Sequence, residues 1–169
     1  MGPAANWRGK EWRAERFAEL ALRLTGAGGP LSGFRVAVLA ALNERHQAEP
    51  LLGAIPADRR IDLVGRIDLL TAAAVLRRCA MFIGNDTGLM HFAAAVNTPT
   101  LGLFGPSPVT QYAPWGRHTA YVRSVDSPEV MFGPGFDHRT TGTLMDGLSV
   151  HAAEAAAIEL WRSVESAAA

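Results

Sequence analysis

Ala80-Met81-Phe82-Ile83-Gly84-Asn85-Asp86-Thr87-Gly88-Leu89-Met90-His91 decides how this chain folds. Met81 to Ile83 is a short apolar run closed by Gly84, the pattern of a strand buried on both faces of a parallel sheet. Asn85, Asp86 and Thr87 are turn and N-cap residue types. Gly88 removes a side chain where a helix begins, and Leu89 to Val96 continues as an apolar helical run. Strand, polar loop and helix start, in that order, bring free backbone N–H groups and the positive end of a helix dipole to the carboxyl edge of the sheet. Phosphate or diphosphate binds in such a place. A plainer reading makes Asp86 and Thr87 caps and nothing more, contributing about 1 kcal/mol each.

On either side the same alternation continues. Arg13 to Leu24 reads as a helix with Phe17, Leu20, Ala21 and Leu24 on one face. Gly26 to Gly33 is a loop, Phe34 to Leu39 a strand, and Glu44 to Leu52 a helix broken before Pro56. Ile61 to Val64 is a short strand ending at Gly65. Asp68 to Arg78 is a helix with Asp68 as its N-cap, and Thr100 to Phe104 is a strand. Beyond Gly105 the regularity fades among Pro106, Pro108, Pro114, Pro128 and Pro134. Ser149 then caps a last helix over Val150 to Val164, with Val150, Ala153, Ala157, Leu160 and Val164 as its stripe. Strands alternating with helices across short loops predict βαβ units, a parallel sheet covered on both faces, and ligands beyond the carboxyl ends of the strands.

The totals agree with one soluble domain. The chain has 169 residues, 49% hydrophobic and 19% charged, enough for one real core. Sixteen Lys and Arg balance sixteen Asp and Glu, so the formal net charge is zero, which argues against nucleic acid as the main partner. The single cysteine, Cys79, excludes an internal disulfide and a cysteine metal site. It fits a reducing cytoplasm and reads as a buried structural thiol. No run of about 18 apolar residues is present to span a membrane. Met1 to Arg8 has no apolar signal core.

Four loops are expected at the ligand edge. They carry Asn43 and Glu44; Gly65 and Arg66; Asn85 to Gly88; and Gly105 to Pro108. His91 lies on the first turn of the helix, where it would donate to an anion; otherwise it is a solvated histidine. Glu44 is placed to accept from a ribose diol, against the reading of a solvated helix-start carboxylate. Lys10 offers a point charge for phosphate, against a surface lysine among Arg8, Glu11 and Arg13. The Gly26, Gly28, Gly29 cluster follows a helix and precedes a strand, the wrong context for a phosphate loop, so it reads as a connector. His46, His118, His138 and His151 show no metal-ligand spacing, and no nucleophile elbow appears.

Gly84-Asn85-Asp86-Thr87-Gly88-Leu89-Met90-His91, then Ala93-Ala94-Ala95, Thr98-Pro99-Thr100 and Leu103-Phe104-Gly105-Pro106, resembles the signature of glycosyltransferase family 9, the heptosyltransferases of lipopolysaccharide assembly. Lys10-Glu11-Trp12, Ile61-Asp62-Leu63-Val64-Gly65 and the ending from Leu144 to Val150 resemble further family segments. Arg13 stands where the family often has proline, and Ala41-Leu42-Asn43 where it often has a glycine-rich turn. The resemblance implies a GT-B enzyme of two Rossmann-like domains. Residues 1–169 would be its C-terminal, donor-binding half, a single domain, with the acceptor domain and its general base lying elsewhere.

By that analogy Asp86, Thr87, Gly88 and His91 hold the donor diphosphate and adjoining sugar. Lys10 contacts phosphate, Glu44 the ribose, and the backbone at Leu63 and Val64 flanks the base. The implied donor is a nucleotide sugar such as ADP-heptose, used without metal or other cofactor. The implied setting is the cytoplasm, at most peripheral to the inner face of the membrane, with an acceptor-domain chain as a partner. No catalytic residue is expected within the chain, which alone would not transfer sugar. The alternatives are a non-catalytic nucleotide-sugar-binding or interaction module, and a GT-B epimerase, which shares the fold without this signature.

Overall fold

A computed structural model describes residues 1–168. Helix α1 (Ala14–Thr25) leads through the glycine loop to β1 (Val36–Val38). A 3-10 turn at Leu42–Glu44 runs into α2 (Arg45–Ala54). Then come β2 (Arg60–Asp62), α3 (Leu69–Leu76), β3 (Phe82–Asn85), α4 (Gly88–Ala95) and β4 (Thr100–Phe104). A short α5 (Val109–Tyr112), β5 (Thr119–Arg123), a short α6 (Pro128–Met131) and the long α7 (Val150–Ala168) complete the chain.

β1 pairs in parallel with β2, and β3, β4 and β5 pair in parallel in that order. The chain's first residues join the two groups. Met1 donates to the Ala37 carbonyl and accepts from the Leu39 N–H at 3.0 Å. Gly2 donates to Ile83 at 2.9 Å and accepts from Asn85 at 3.2 Å. Met1 to Pro3 is thus a strand-like bridge, parallel to β3 through Gly2 and Gly84, at the centre of one sheet ordered β2, β1, Met1–Pro3, β3, β4, β5.

Helices cover both faces. Strand side chains alternate, so Ile83, Leu101 and Leu103 pack with α1, α2 and α7, while Phe82 and Phe104 pack with α3 and α4. Phe17, Leu20, Ala21 and Leu24 are buried as the α1 periodicity requires, and so are Ala153, Ala157 and Leu160 of α7. Asp68 accepts from the Thr71 N–H at 2.7 Å, and the Ser149 hydroxyl accepts from the Ala152 N–H at 3.1 Å, so both expected caps form. The glycine cluster is a connector, with Gly28 and Gly33 at φ +83°.

The structure corrects four expectations. The region past Gly105 holds a strand, β5. It is an edge strand whose Tyr121 is half exposed, so it lacks the apolar run that marks a buried one. The expected strand Ile61–Val64 lies at Arg60–Asp62; beyond it the Leu63 and Gly65 N–H groups still reach the Val38 and Ala40 carbonyls, while the Val64 N–H turns to the Asp62 carboxylate at 3.0 Å. The N-terminal residues, with no apolar run at all, form the central bridge. Cys79 is only half-buried, following α3 with its thiol on the Val75 carbonyl. No helix among the described residues is long and apolar enough to cross a membrane.

Candidate functional site

The loop after β3 is held from below. Asn85 is fully buried; its Oδ1 accepts from the Trp12 N–H at 3.2 Å, and its Nδ2 donates to the Pro3 carbonyl at 2.7 Å. One side chain therefore keys two chain segments to the end of β3. Trp12 is itself buried, with its indole N–H on the Leu148 carbonyl at 2.9 Å. This mooring places Lys10, at the end of a 3-10 turn, with Nζ 2.7 Å from Asp86 Oδ2. Asp86 is 5% exposed, and a carboxylate so far from water needs a cation or donors. Tyr112 of α5 lies against the same ammonium, its ring centroid 5.4 Å from Nζ.

Thr87 occupies the N-cap position of α4 in extended conformation, yet its hydroxyl makes no capping bond. The first bonds of the helix run from Met90 and His91 to the Thr87 carbonyl. The amides of Gly88 and Leu89 are left at an uncapped, positive helix end. A Cβ at Gly88 would meet nothing within 4 Å, and its φ is not positive. Glycine here keeps the approach to those amides open rather than relieving backbone strain.

In front of that helix end lies a cavity of about 390 Å³ at the carboxyl edge of the sheet. Glu44, Leu63, Thr87 and Gly88 line it, with Ala4 and Asn6 from the N-terminal segment. The Glu44 Oε2 accepts from the Ala41 N–H at 3.0 Å, which steadies the carboxylate at the cavity wall. Gly65 has φ +67°, and a Cβ there would lie 2.6 Å from Leu42 Cβ. Only glycine lets the loops after β1 and β2 close together on this side.

The expected site residues fall into four groups. Glu44, Thr87 and Gly88 share the cavity. Lys10 and Asp86 form an ion pair one residue away along the chain. His91 is exposed on α4, outside the cavity lining. Val64 is buried, and its backbone is engaged by Asp62 at 3.0 Å and by Arg45 at 3.4 Å. Arg45 also binds the Asp62 carboxylate at 2.8 Å. Burial works to raise the Asp62 pKa, but Arg45, the Val64 N–H and Arg66 outweigh it and hold the carboxyl below its usual range.

Of the four loops, the Gly105–Pro108 loop does not line the cavity; it leads into α5 and so delivers Tyr112 to Lys10. Sequence reasoning missed Asn6, Tyr112 and the mooring role of Asn85. Only the polar Asn85 between a buried strand and a helix start carried a signal. Among the described residues, no three His, Cys, Asp or Glu side chains gather as a metal would need.

A model of the family described as glycosyltransferase family 9 (heptosyltransferase) matches residues 1–132. Lipooligosaccharide heptosyltransferase 2 of Haemophilus influenzae is 34% identical over 117 residues, which are 68% of this chain and 31% of the relative. Lipopolysaccharide heptosyltransferase 2 of Escherichia coli is 31% identical over 110 residues, 63% of this chain and 29% of the relative. The chain thus spans about a third of these relatives. In fold it superimposes on the E. coli ADP-heptose lipopolysaccharide heptosyltransferase II with a TM-score of 0.77 at 22% identity, covering 97% of this chain and 46% of that one. An E. coli heptosyltransferase solved with ADP gives a TM-score of 0.70 at 21% identity, over 94% of this chain and 42% of that one. The parallel α/β fold is therefore shared with a part of these GT-B proteins.

Proposed function

The chain belongs to glycosyltransferase family 9, and from that membership we propose that it is the donor-binding domain of a heptosyltransferase-type enzyme of lipopolysaccharide or other cell-surface glycan synthesis. Its ligand is a nucleoside-diphosphate sugar of the ADP-heptose kind. The observation that carries this reading is the uncapped start of α4 at Gly88, facing a cavity that also presents Glu44.

The diphosphate lies on the Gly88 and Leu89 amides, where the helix dipole favours negative charge. Lys10 adds a full positive charge. An ammonium has three donors, so Nζ keeps Asp86 and still reaches phosphate; Asp86 acts by holding it there. His91 donates from the exposed side of the first turn. Glu44 accepts from the ribose hydroxyls, and the backbone at Leu63 and Val64 flanks the base.

In transfer, the acceptor hydroxyl attacks the anomeric carbon with inversion and the bond to the diphosphate breaks. Lys10 and the α4 amides stabilise the charge that develops on the leaving group, without a metal. The general base and acceptor surface lie outside these 169 residues, so the chain alone binds donor without transferring its sugar. Work of this kind belongs in the cytoplasm, beside the inner face of the membrane.

Titration with ADP and with UDP, followed by amide NMR, tests the site. Shifts confined to Asp86–His91, Lys10 and the Glu44 turn are expected, and the stronger ligand identifies the base. If neither nucleotide moves Asp86–His91 at millimolar concentration, the site is misplaced.

A further inference from the structure

The loops at the carboxyl edge stand in the order of their strands: those after β2 and β1, the segment after the Met1–Pro3 bridge, then those after β3 and β4. Neighbouring strands lie about 4.8 Å apart, so these loops form a row. Leu63 and Ile67 line its apolar end beyond β2, and Glu44 follows β1. Lys10 comes after the bridge, the α4 amides after β3, and Tyr112 after β4. A nucleotide with its ribose on Glu44 and its diphosphate on the α4 amides therefore runs from β1 towards β3. The group carried by the far phosphate continues that line, towards the loop after β4.

Tyr112 stands at that place. It ends α5, a helix of four residues none of which is buried. Val109 leans on the core, while Thr110, Gln111 and Tyr112 are exposed. The loop is nonetheless stiff. Pro106, Pro108 and Pro114 fix φ on both sides of α5. The Gln111 and Tyr112 amides both donate to the Pro108 carbonyl at 3.1 Å. Gly105 passes so close to Leu144 and Met145 that a Cβ there has no room. A rigid loop thus presents an aromatic ring that is 45% open to water. Lys10 links this ring to the anion site, with Nζ 2.7 Å from Asp86 and 5.4 Å from the ring centroid. A group bonded to a phosphate at Lys10 lies within reach of the ring.

We infer that Tyr112 is the wall against which the glycosyl group of the donor packs, and so a residue of sugar recognition. The inference rests on the donor-binding reading above. A sugar ring carries C–H groups on its faces, and a tyrosine ring covers them with a large, stiff surface that loses little side-chain entropy. Lys10 and the α4 amides grip the diphosphate whether or not a sugar is attached. The contact with Tyr112 exists only while the sugar is there. It therefore favours the intact donor over the free nucleoside diphosphate that transfer leaves behind.

Calorimetric titration of the full chain with ADP and with ADP-heptose tests it. The wild-type chain is expected to bind ADP-heptose about fivefold or more tightly than ADP. Tyr112→Ala should bring the two ligands to within about twofold of each other without moving ADP itself. Tyr112→Phe, which keeps the ring, should keep the wild-type difference. Equal affinities in wild type, or a difference that survives in Tyr112→Ala, overturn the inference and leave the donor-binding reading standing. An equal loss for both ligands in Tyr112→Ala also overturns it and makes the tyrosine a prop for Lys10. A loss in Tyr112→Phe as large as in Tyr112→Ala replaces the ring by the hydroxyl and overturns the packing. Binding of neither ligand to wild type removes the donor-binding reading, and the inference falls with it. If Tyr112→Ala does not fold, NMR of the wild-type chain decides. The Tyr112 ring resonances must move with ADP-heptose and stay in place with ADP, and equal shifts overturn the inference.

Discussion

The same two strands, β1 and β3, with the Met1–Pro3 bridge between them, bound a cavity at each end of the sheet. At the carboxyl end the cavity is the smaller, about 390 Å³, and it receives the uncapped start of α4, the Glu44 carboxylate and the neighbouring Lys10–Asp86 pair. At the amino end it is about 580 Å³, and its walls are mostly apolar side chains, with Thr25, Arg35 and Arg78 among them. The difference follows from chain direction. In a parallel sheet with crossover helices, every helix that follows a strand begins at the carboxyl edge and points its unbonded amides there. The amino edge receives only the returning chain. Size alone therefore does not favour a ligand site here; the orientation of the peptide dipoles favours the carboxyl edge.

The contrast can be broken most severely at Asn85, which ties the bridge to the carboxyl-edge loop. Asn85→Ala strands the Trp12 N–H and the Pro3 carbonyl in the interior. A loss of about 3 kcal/mol in urea unfolding is expected from two orphaned groups. A loss well under 1 kcal/mol would mean that the bridge holds without its key.

The amino edge can be probed by pH. Burial lowers the Met1 ammonium from its usual 8.0 to about 6. Between those values the unfolded chain binds a proton that the folded chain does not, so stability rises with pH from 6 to 8 and is lost as pH falls through 6. The expected gain is on the order of 2 kcal/mol. A variant with Gly-Ser-Gly-Ser placed ahead of Met1 should lack it, which assigns the change to this amine.

At the carboxyl edge, Gly88→Val places a branched side chain in the open approach to the α4 amides. Folding stability should stay within about 0.5 kcal/mol, since the added Cβ meets nothing within 4 Å. Affinity for nucleoside diphosphate should fall more than tenfold, about 1.4 kcal/mol. Unchanged affinity in the folded mutant would remove the ligand from this helix end.

The smallest effect is at Asp62, whose carboxyl Arg45 and Arg66 hold at 2.8 and 3.2 Å. Asp62→Asn should cost less than about 1 kcal/mol at pH 7. Because the folded pKa is lowered, that contribution is present above the ordinary carboxylate range and disappears as pH falls through the lowered value. Wild type and mutant should therefore converge in acid, as parallel urea melts at pH 7 and pH 3 would show.

Much of this was legible before any coordinates. Met81–Ile83 read as a buried strand, which the structure places at Phe82–Asn85, and the polar loop and Gly88 after it read as a helix start, because local sterics and hydrophobic periodicity shape both. That is also why α1, β4, α7 and the caps at Asp68 and Ser149 stand where expected. The edge strand β5 was hidden, since an edge strand with one solvated face needs no apolar run. Tyr112 was hidden because its tie to Lys10 crosses about a hundred residues of chain.

By itself, then, the sequence determined a parallel α/β fold with a helix start opening at the carboxyl edge of the sheet, for these depend on neighbours within a few residues. Only the tertiary structure decided that Met1–Pro3 is the sheet's central bridge and that Asn85 is a buried key rather than a turn residue. It alone decided that Lys10 meets Asp86 across 76 positions, and that the sheet has a second, apolar groove. Those features depend on which distant segments share a ladder or a buried polar atom, and residue type carries no record of a partner so far along the chain.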